Sequence, residues 1–369
     1  MAERKHQFPI YVTRRMGLSK KIYWAIRVGG ILLAFLVAGI ACTILSPGSF
    51  GTFYAELVRG CFDFGDISSV IDLLVTFSIL LLIAIILTPA FKMKFWNIGA
   101  EGQVLIGCLA AAGIARFCPR GLPNIIILLF ALLGAMAAST VWALIPTLFK
   151  AFFKTNETLF TLMMNYVATI ASSMAISIWI KSGSQSFGVL RQGTFPYILG
   201  NSGTLVVIFG VLIFLAMMVY IDYGKHGYEI AVLGESVDTA RYIGINVKKV
   251  TIRTMIVCGA LFGVVGFFLV CGVHQSFSPT LVGGKGFTGV LIAWLGHFDP
   301  WEIALFAFLS AVMERGTITA ATAVNISATQ FSAICTGVFF FIIIACEFFS
   351  SYQLRIHHRE NKVEEVKIQ

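Results

Sequence analysis

The stretch KMKFWNIGAEGQVLIG, residues 92–107, places Asn97, Glu101 and Gln103 among three glycines and between two long apolar runs. A carboxylate at mid-helix in a bilayer costs roughly 2.5–3.5 kcal/mol, so such groups normally face a cavity or a partner. Glu101 has the chemistry of a proton or sodium site, or of a brace for a gate. A second polar set interrupts TLMMNYVATIASS (161–173), where Asn165 and Tyr166 stand with Thr161, Thr169, Ser172 and Ser173 at helical spacing. Hydroxyls and amides in such a stripe suit the hydroxyls or ring edges of a polar, uncharged solute. They equally suit interhelical hydrogen bonds, worth about 0.6 kcal/mol each. Trp294 falls in a short apolar segment, and His274 and Gln275 lie just past a longer one. Asn97, Glu101, Gln103, Asn165, Tyr166 and Trp294 are the candidate pathway or gate residues.

These residues must be positioned by membrane helices. The 369 residues are 58% hydrophobic and 12% charged, with mean hydropathy +0.87. A soluble domain carries about 25% charged residues. Ten apolar segments can be counted: 22–45, 68–90, 98–115, 122–148, 157–180, 203–222, 251–273, 286–298, 301–314 and 331–350. The fold expected is an all-α polytopic membrane protein of about ten transmembrane or re-entrant helices. The eighth and ninth segments are short and flank HFDP (297–300), as in a broken or re-entrant pair. The first run is too long for a signal-peptide core and has no A-x-A site after it, so it reads as a retained helix.

The net charge of +9 does not indicate nucleic acid, because of where the charges fall. Arg4, Lys5, Arg14, Arg15, Lys20, Lys21 and Arg27 precede or open the first run and read as an anchor at an anionic lipid leaflet. Twenty of the 27 Lys and Arg lie in segments 1–27, 91–97, 149–156, 223–253 and 351–369. That asymmetry assigns both termini to the cytoplasm, with a basic segment 1–21, one membrane domain 22–350 and a tail 351–369. Loop 46–67, with Glu56, Asp63 and Asp66 against Arg59, falls outside. Eight cysteines occur without CxxC, six of them in apolar runs as small hydrophobes.

The cytoplasmic loop 223–250 contains a short helix signal. Ser236 is a candidate N-cap, Asp238 falls in the first turn, Arg241 near the end, and Gly244 at C′. A capped polar helix beneath a membrane domain suits docking on a cytoplasmic partner. GAEGQVLI (99–106) and GFTGVLIA (286–293) both pair Gly-x-x-Gly with an apolar run and would enter from opposite sides, as in an inverted repeat.

GGKG (283–286) lacks the spacing and the Ser or Thr of a P-loop, and no HExxH, GxSxG or cysteine-pair metal pattern occurs. No catalytic residue, metal site or cofactor is therefore expected in this chain. His297 and Asp299 read as turn and cap residues.

FWNIGAEGQVLIG resembles the FNIGAEGQ segment of ABC-importer permeases for nucleosides and simple sugars, within the ribose and branched-chain amino-acid permease class. TNETLFTLMMNYVA (155–168), LGESVDTARYIGINVKK (233–249) and GGKGFTGVLIAWLG (283–296) resemble further segments of that family in the same order. The resemblance spans residues 68–350. It implies a transporter subunit that pairs with a second permease subunit. A separate cytoplasmic ABC ATPase would bind ATP and Mg²⁺, and an extracellular solute-binding lipoprotein would deliver solute. It also implies a coupling segment at Gly234, Glu235, Asp238, Ala240, Arg241, Tyr242 and Gly244, and residence in a bacterial plasma membrane. Ser236-Val237 departs from the family's Asn-Pro, Thr239 from its Ala, and Trp294 from its small residue. A stand-alone secondary carrier using Glu101 is the competing reading; a membrane enzyme lacks any nucleophile, base or metal constellation.

Overall fold

A computed structural model describes residues 10–14, 19–46, 50–63, 65, 67–119, 121–180 and 186–356. The anchor residues Arg4, Lys5 and Arg15, Asp66 of loop 46–67, and tail residues 357–369 lie outside the described residues. The protein is built from helices, two short strands aside. In chain order these are β1 (Ile10–Arg14), α1 (Lys20–Leu45), α2 (Phe50–Phe62), α3 (Ile67–Lys92), α4 (Ala100–Phe117), α5 (Asn124–Phe153) and α6 (Glu157–Trp179). After them come α7 (Thr204–Asp222), α8 (Lys225–Glu235), α9 (Val237–Tyr242), α10 (Val247–Phe267), α11 (Lys285–Leu295), α12 (Pro300–Ala323), α13 (Ala328–Ser351) and β2 (Tyr352–Ile356).

Among the described residues, nine helices are long and apolar enough to cross a bilayer, and α11 is a tenth, shorter apolar helix. Nine of the ten expected segments are therefore long enough for full spans. At 11 residues α11 is about 16 Å long, half a bilayer core. The ninth segment, in contrast, is not short: α12 runs on to Ala323. Glu314 and Arg315 broke its apolar signal, but Glu314 pairs with Lys285 and Arg315 with Asp72, each at 2.6 Å. Paired charges are tolerated where single ones are not.

Loop 46–67 is largely helical. It contains α2, whose Phe53, Leu57, Gly60 and Cys61 are buried, with Leu57 against Gly316 and Cys61 against Val312 of α12. All eight cysteines are free.

Helices α3 and α10 form the centre, each largely buried, with α5 laid against α10. Small residues set these distances. A Cβ on Gly263 would run into the Ala135 carbonyl of α5, and one on Gly266 into the backbone of α4. The α10 helix ends in a wide turn, Phe268–His274, closed by Gln275 at φ 49°.

β1 pairs antiparallel with β2, Ile10 opposite Ile356 through Arg14 opposite Tyr352. The two ends of the described chain therefore lie on the same side of the bundle.

Arg27 does not reach a lipid leaflet. It is 2% exposed, its guanidinium binding Glu302 and Glu347 at 3.0 Å and the Leu295 carbonyl at 3.3 Å. The aromatic ring of Tyr23 lies 4.4 Å from its Cζ. A buried guanidinium requires such partners, and α12 and α13 bring them.

Candidate functional site

The glycine-rich start of α4 leaves its first N–H groups without intrahelical acceptors. By residue type and position Asn97 suits an N-cap, but the helix begins at Ala100, too far on for that role. Asn97 Oδ1 instead accepts from Gly99 N at 3.0 Å, a turn ahead of the helix. Its amide is locked in a reciprocal pair with Gln103, at 3.2 and 3.3 Å. The cap comes from α6: Asn165 Oδ1 accepts from Gly102 N at 2.9 Å, while its Nδ2 donates to the Ile98 carbonyl at 2.9 Å. Thr161 Oγ1 accepts from Ile98 N at 3.2 Å. Asn97, Gln103 and Asn165 are all buried and fully engaged.

Glu101 points away from this set, to α11. Its Oε1 accepts from Gly284 N at 2.9 Å and its Oε2 from Gly286 N at 2.7 Å. A carboxylate at a helix N-terminus satisfies orphan donors and opposes the helix dipole. Gly286 is required here, because any Cβ would strike the backbone of Glu101. Beside it the Lys285 ammonium, paired with Glu314, acts electrostatically on Glu101. The two resembling stretches, 99–106 and 286–293, are thus helix starts in mutual contact. Contact is a different thing from a two-fold repeat, and the structure supplies only the contact.

At its other end α11 meets Arg27 through Leu295 O, and Asp299 caps α12 by accepting from Trp301 N and Glu302 N. His297 sits between Glu302 (3.1 Å) and Glu347 (3.5 Å). From sequence Arg27 read only as a lipid-leaflet anchor, and Glu302 and Glu347 were not singled out; a lone arginine one turn inside an apolar run was the signal.

Tyr166 and Trp294 are not brought into the polar cluster. Tyr166 is 62% exposed on the opposite face of α6. It heads a stripe with Thr169, Ser173 and Ser177, all exposed, whose three hydroxyls bond to backbone carbonyls of their own helix. Trp294 is 44% exposed, about 12 Å along α11 from Gly286.

Residues 223–250, expected as a cytoplasmic loop, fold as α8 followed by α9 and the start of α10. Ser236 Oγ accepts from Thr239 N at 3.2 Å, as expected of an N-cap. Gly244, at φ 86°, donates its N–H to Arg241 O at 3.0 Å and terminates the helix. Asp238 and Arg241 form an exposed pair at 3.6 Å, a weak interaction. Ala240 is buried, while Tyr242 is 92% exposed with Val237 and Ile243 exposed beside it. Missed from sequence, α8 packs on the end of α3: a Cβ on Gly234 would strike the Lys92 carbonyl, and Lys94 Nζ donates to Glu235 O at 3.5 Å. From Lys94 the chain runs directly into Asn97 and the α4 start. Among the described residues no group of three or more His, Cys, Asp or Glu is placed to hold a metal ion.

Residues 69–345 match the family described as "Branched-chain amino acid transport system / permease component". The chain is 28% identical over 296 residues to the guanosine ABC transporter permease protein NupP of Bacillus subtilis (strain 168), covering 77% of this chain and 82% of that one. It is 26% identical over 347 residues to the glucose ABC transporter permease protein TsgB13 of Haloferax volcanii, covering 88% of each. To the nucleoside ABC transporter permease protein NupB of Lactococcus lactis subsp. cremoris it is 28% identical over 269 residues, 68% of this chain and 73% of that one.

Proposed function

The chain belongs to the permease components of the branched-chain amino acid transport systems, and on that premise we propose that it imports a nucleoside, or else a simple sugar. It is a multi-pass membrane permease subunit of an ABC importer. The energy comes from ATP and Mg²⁺ bound by a separate ATPase. A second permease subunit completes the pathway, a lipoprotein delivers the solute, and both termini face the cytoplasm of a bacterial cell.

One observation carries the reading. The capped segment Ser236–Gly244 presents Val237, Tyr242 and Ile243 to solvent, and α8 joins it to Lys92–Lys94, which lead into Asn97 and Glu101. An ATPase docked there has a short path to the α4 and α11 starts, which act as the gate. The stripe of Tyr166, Thr169, Ser173 and Ser177 exposed on α6 supports a solute pathway shared with the second permease subunit. Alternating access then follows from rigid movement of the two subunits. Glu101, with both carboxylate oxygens on backbone N–H groups, reads as a brace rather than an ion site.

The test is co-purification from the native host membrane, followed by uptake in vesicles of guanosine, glucose and riboflavin, the last as a flat heterocycle. Recovery of an ATPase with ATP-dependent uptake of guanosine is expected. Uptake driven by an ion gradient with no ATPase present would establish the secondary carrier instead. Arg241→Glu should abolish uptake while leaving the amount of inserted protein unchanged.

A further inference from the structure

The α8 helix is fastened by a side-chain joint that the gate does not use. His226, in its first turn, accepts from Arg253 Nε of α10 at 2.7 Å through Nε2, with Thr254 Oγ1 3.4 Å from the same nitrogen. Arginine offers only donors, so Nε2 carries the lone pair. The ring proton of the neutral imidazole is then on Nδ1, where it meets the Tyr220 hydroxyl of α7. Arg253 is held in turn by Glu229, one helical turn along α8. A single imidazole therefore ties α8 to α7 on one edge and to α10 on the other.

The backbone around it is tight. Gly224 and Gly227 fit against the carbonyls of Tyr220 and Ile221, with no room for a Cβ. The charged and titratable groups facing the joint are few. They are Arg253 from α10, Tyr220 from the end of α7 with Cys258 of α10 near it, and Glu229 on α8 itself. Lys92 of α3 takes Asp222 at 3.9 Å, and on α9 Asp238 and Arg241 pair with each other at the surface.

Resting on the importer reading, we propose that neutral His226 is the positioning residue that passes movement of the coupling segment into α7 and α10, so that protonating it separates ATP hydrolysis from transport. Protonation puts an N–H on Nε2, which can no longer accept from Arg253, and sets a second cation against the guanidinium. Burial, then Arg253, holds the imidazole below its ordinary value. The joint is therefore intact at neutral pH and fails only in acid, below the usual imidazole range of about 6.5.

The experiment uses the whole importer, purified through this chain and reconstituted with ATP. ATP hydrolysed per solute imported is measured as the pH on the ATP side falls from about 7.5 to about 5.5. The solute is whichever of guanosine, glucose and riboflavin the wild type takes up. The wild-type ratio should rise in acid. His226→Ala should raise it about tenfold at neutral pH, the scale of one lost hydrogen bond to a charged donor. His226→Gln keeps an acceptor for Arg253 and cannot be protonated. It should stay near the wild-type ratio at neutral pH and lose the acid rise, which decides the matter even if the alanine variant fails to assemble. An unchanged acid rise in His226→Gln would overturn the proposal, as would a wild-type ratio in an assembled His226→Ala complex. Absence of ATP-driven uptake by the wild type would overturn the importer reading, and the proposal with it.

Discussion

Helices α4 and α11 both begin inside the bundle on a glycine-rich turn, and neither has a side-chain cap of its own. Each borrows one from another helix, but the loans differ in kind. The α4 start receives the neutral amide of Asn165, which also donates to Ile98 O, so the group is satisfied in both directions. The α11 start receives the carboxylate of Glu101, and its far end receives the guanidinium of Arg27. Charged hydrogen bonds are roughly twice as strong as neutral ones. Opposite charges at opposite ends also follow the helix dipole. The comparison teaches that α4 is a fixture of the core, while α11 is a short strut held at both ends by other helices and so moves when they move.

The strongest test of that contrast is Arg27→Met. It leaves Glu302 and Glu347 without their buried partner and should destabilise by about 3–5 kcal/mol. Thermal unfolding in detergent measures this, and a small loss would mean that α11 is not anchored at that end. Next, Gly286→Ala should cost about 1–3 kcal/mol by overpacking and remove uptake, because the new Cβ meets the Glu101 backbone. Gly102→Ala, whose Cβ would stand 3.0 Å from Asn165 Cα, should be milder in both assays. Equal effects would erase the difference between the two starts.

Third, Glu101→Gln should lower ATP-driven uptake about tenfold with little loss of protein, and Asn165→Ala should destabilise by about 1 kcal/mol. Unaltered uptake kinetics in Glu101→Gln would reduce the carboxylate to packing.

The smallest effect concerns pH at the Arg27 end of α11. The hydrogen bond to Glu347, opposed by burial and aided by Glu302, raises the His297 pKa. A raised folded value means that the contribution is complete below the unfolded value of about 6.5 and is lost as pH rises through the folded one. The melting temperature should therefore fall slightly as pH rises above neutrality, and His297→Asn should flatten that slope.

The spans were legible because helices such as α3 and α7 are apolar all round and leave an unbroken signal. The ends of α9 were legible for a related reason, as Ser236 and Gly244 act through bonds within four residues. What stayed hidden depends on distant partners. The full length of α12 needs Lys285 and Asp72 to excuse Glu314 and Arg315. The amphipathic α2 reads as a charged loop until α12 covers Leu57 and Cys61. Asn97 looks like a cap until Asn165 is seen to hold that place from 63 residues away. Glu101 was recognised as exceptional by its cost, but no local pattern shows that its oxygens serve Gly284 and Gly286.

Arg27 also constrains how the protein is made. It enters the membrane in the first helix, whereas Glu302 and Glu347 lie 275 and 320 residues further along the chain. At about 5–20 residues per second, tens of seconds of synthesis separate the cation from its counter-ions. Over that interval α1 carries an uncompensated guanidinium near its start, which snorkelling keeps below the roughly 2.5–3.5 kcal/mol of a helix-centre charge. The nascent first helix is therefore expected to hold that guanidinium toward the lipid surface, and to seat Arg27 fully only when α12 and α13 arrive.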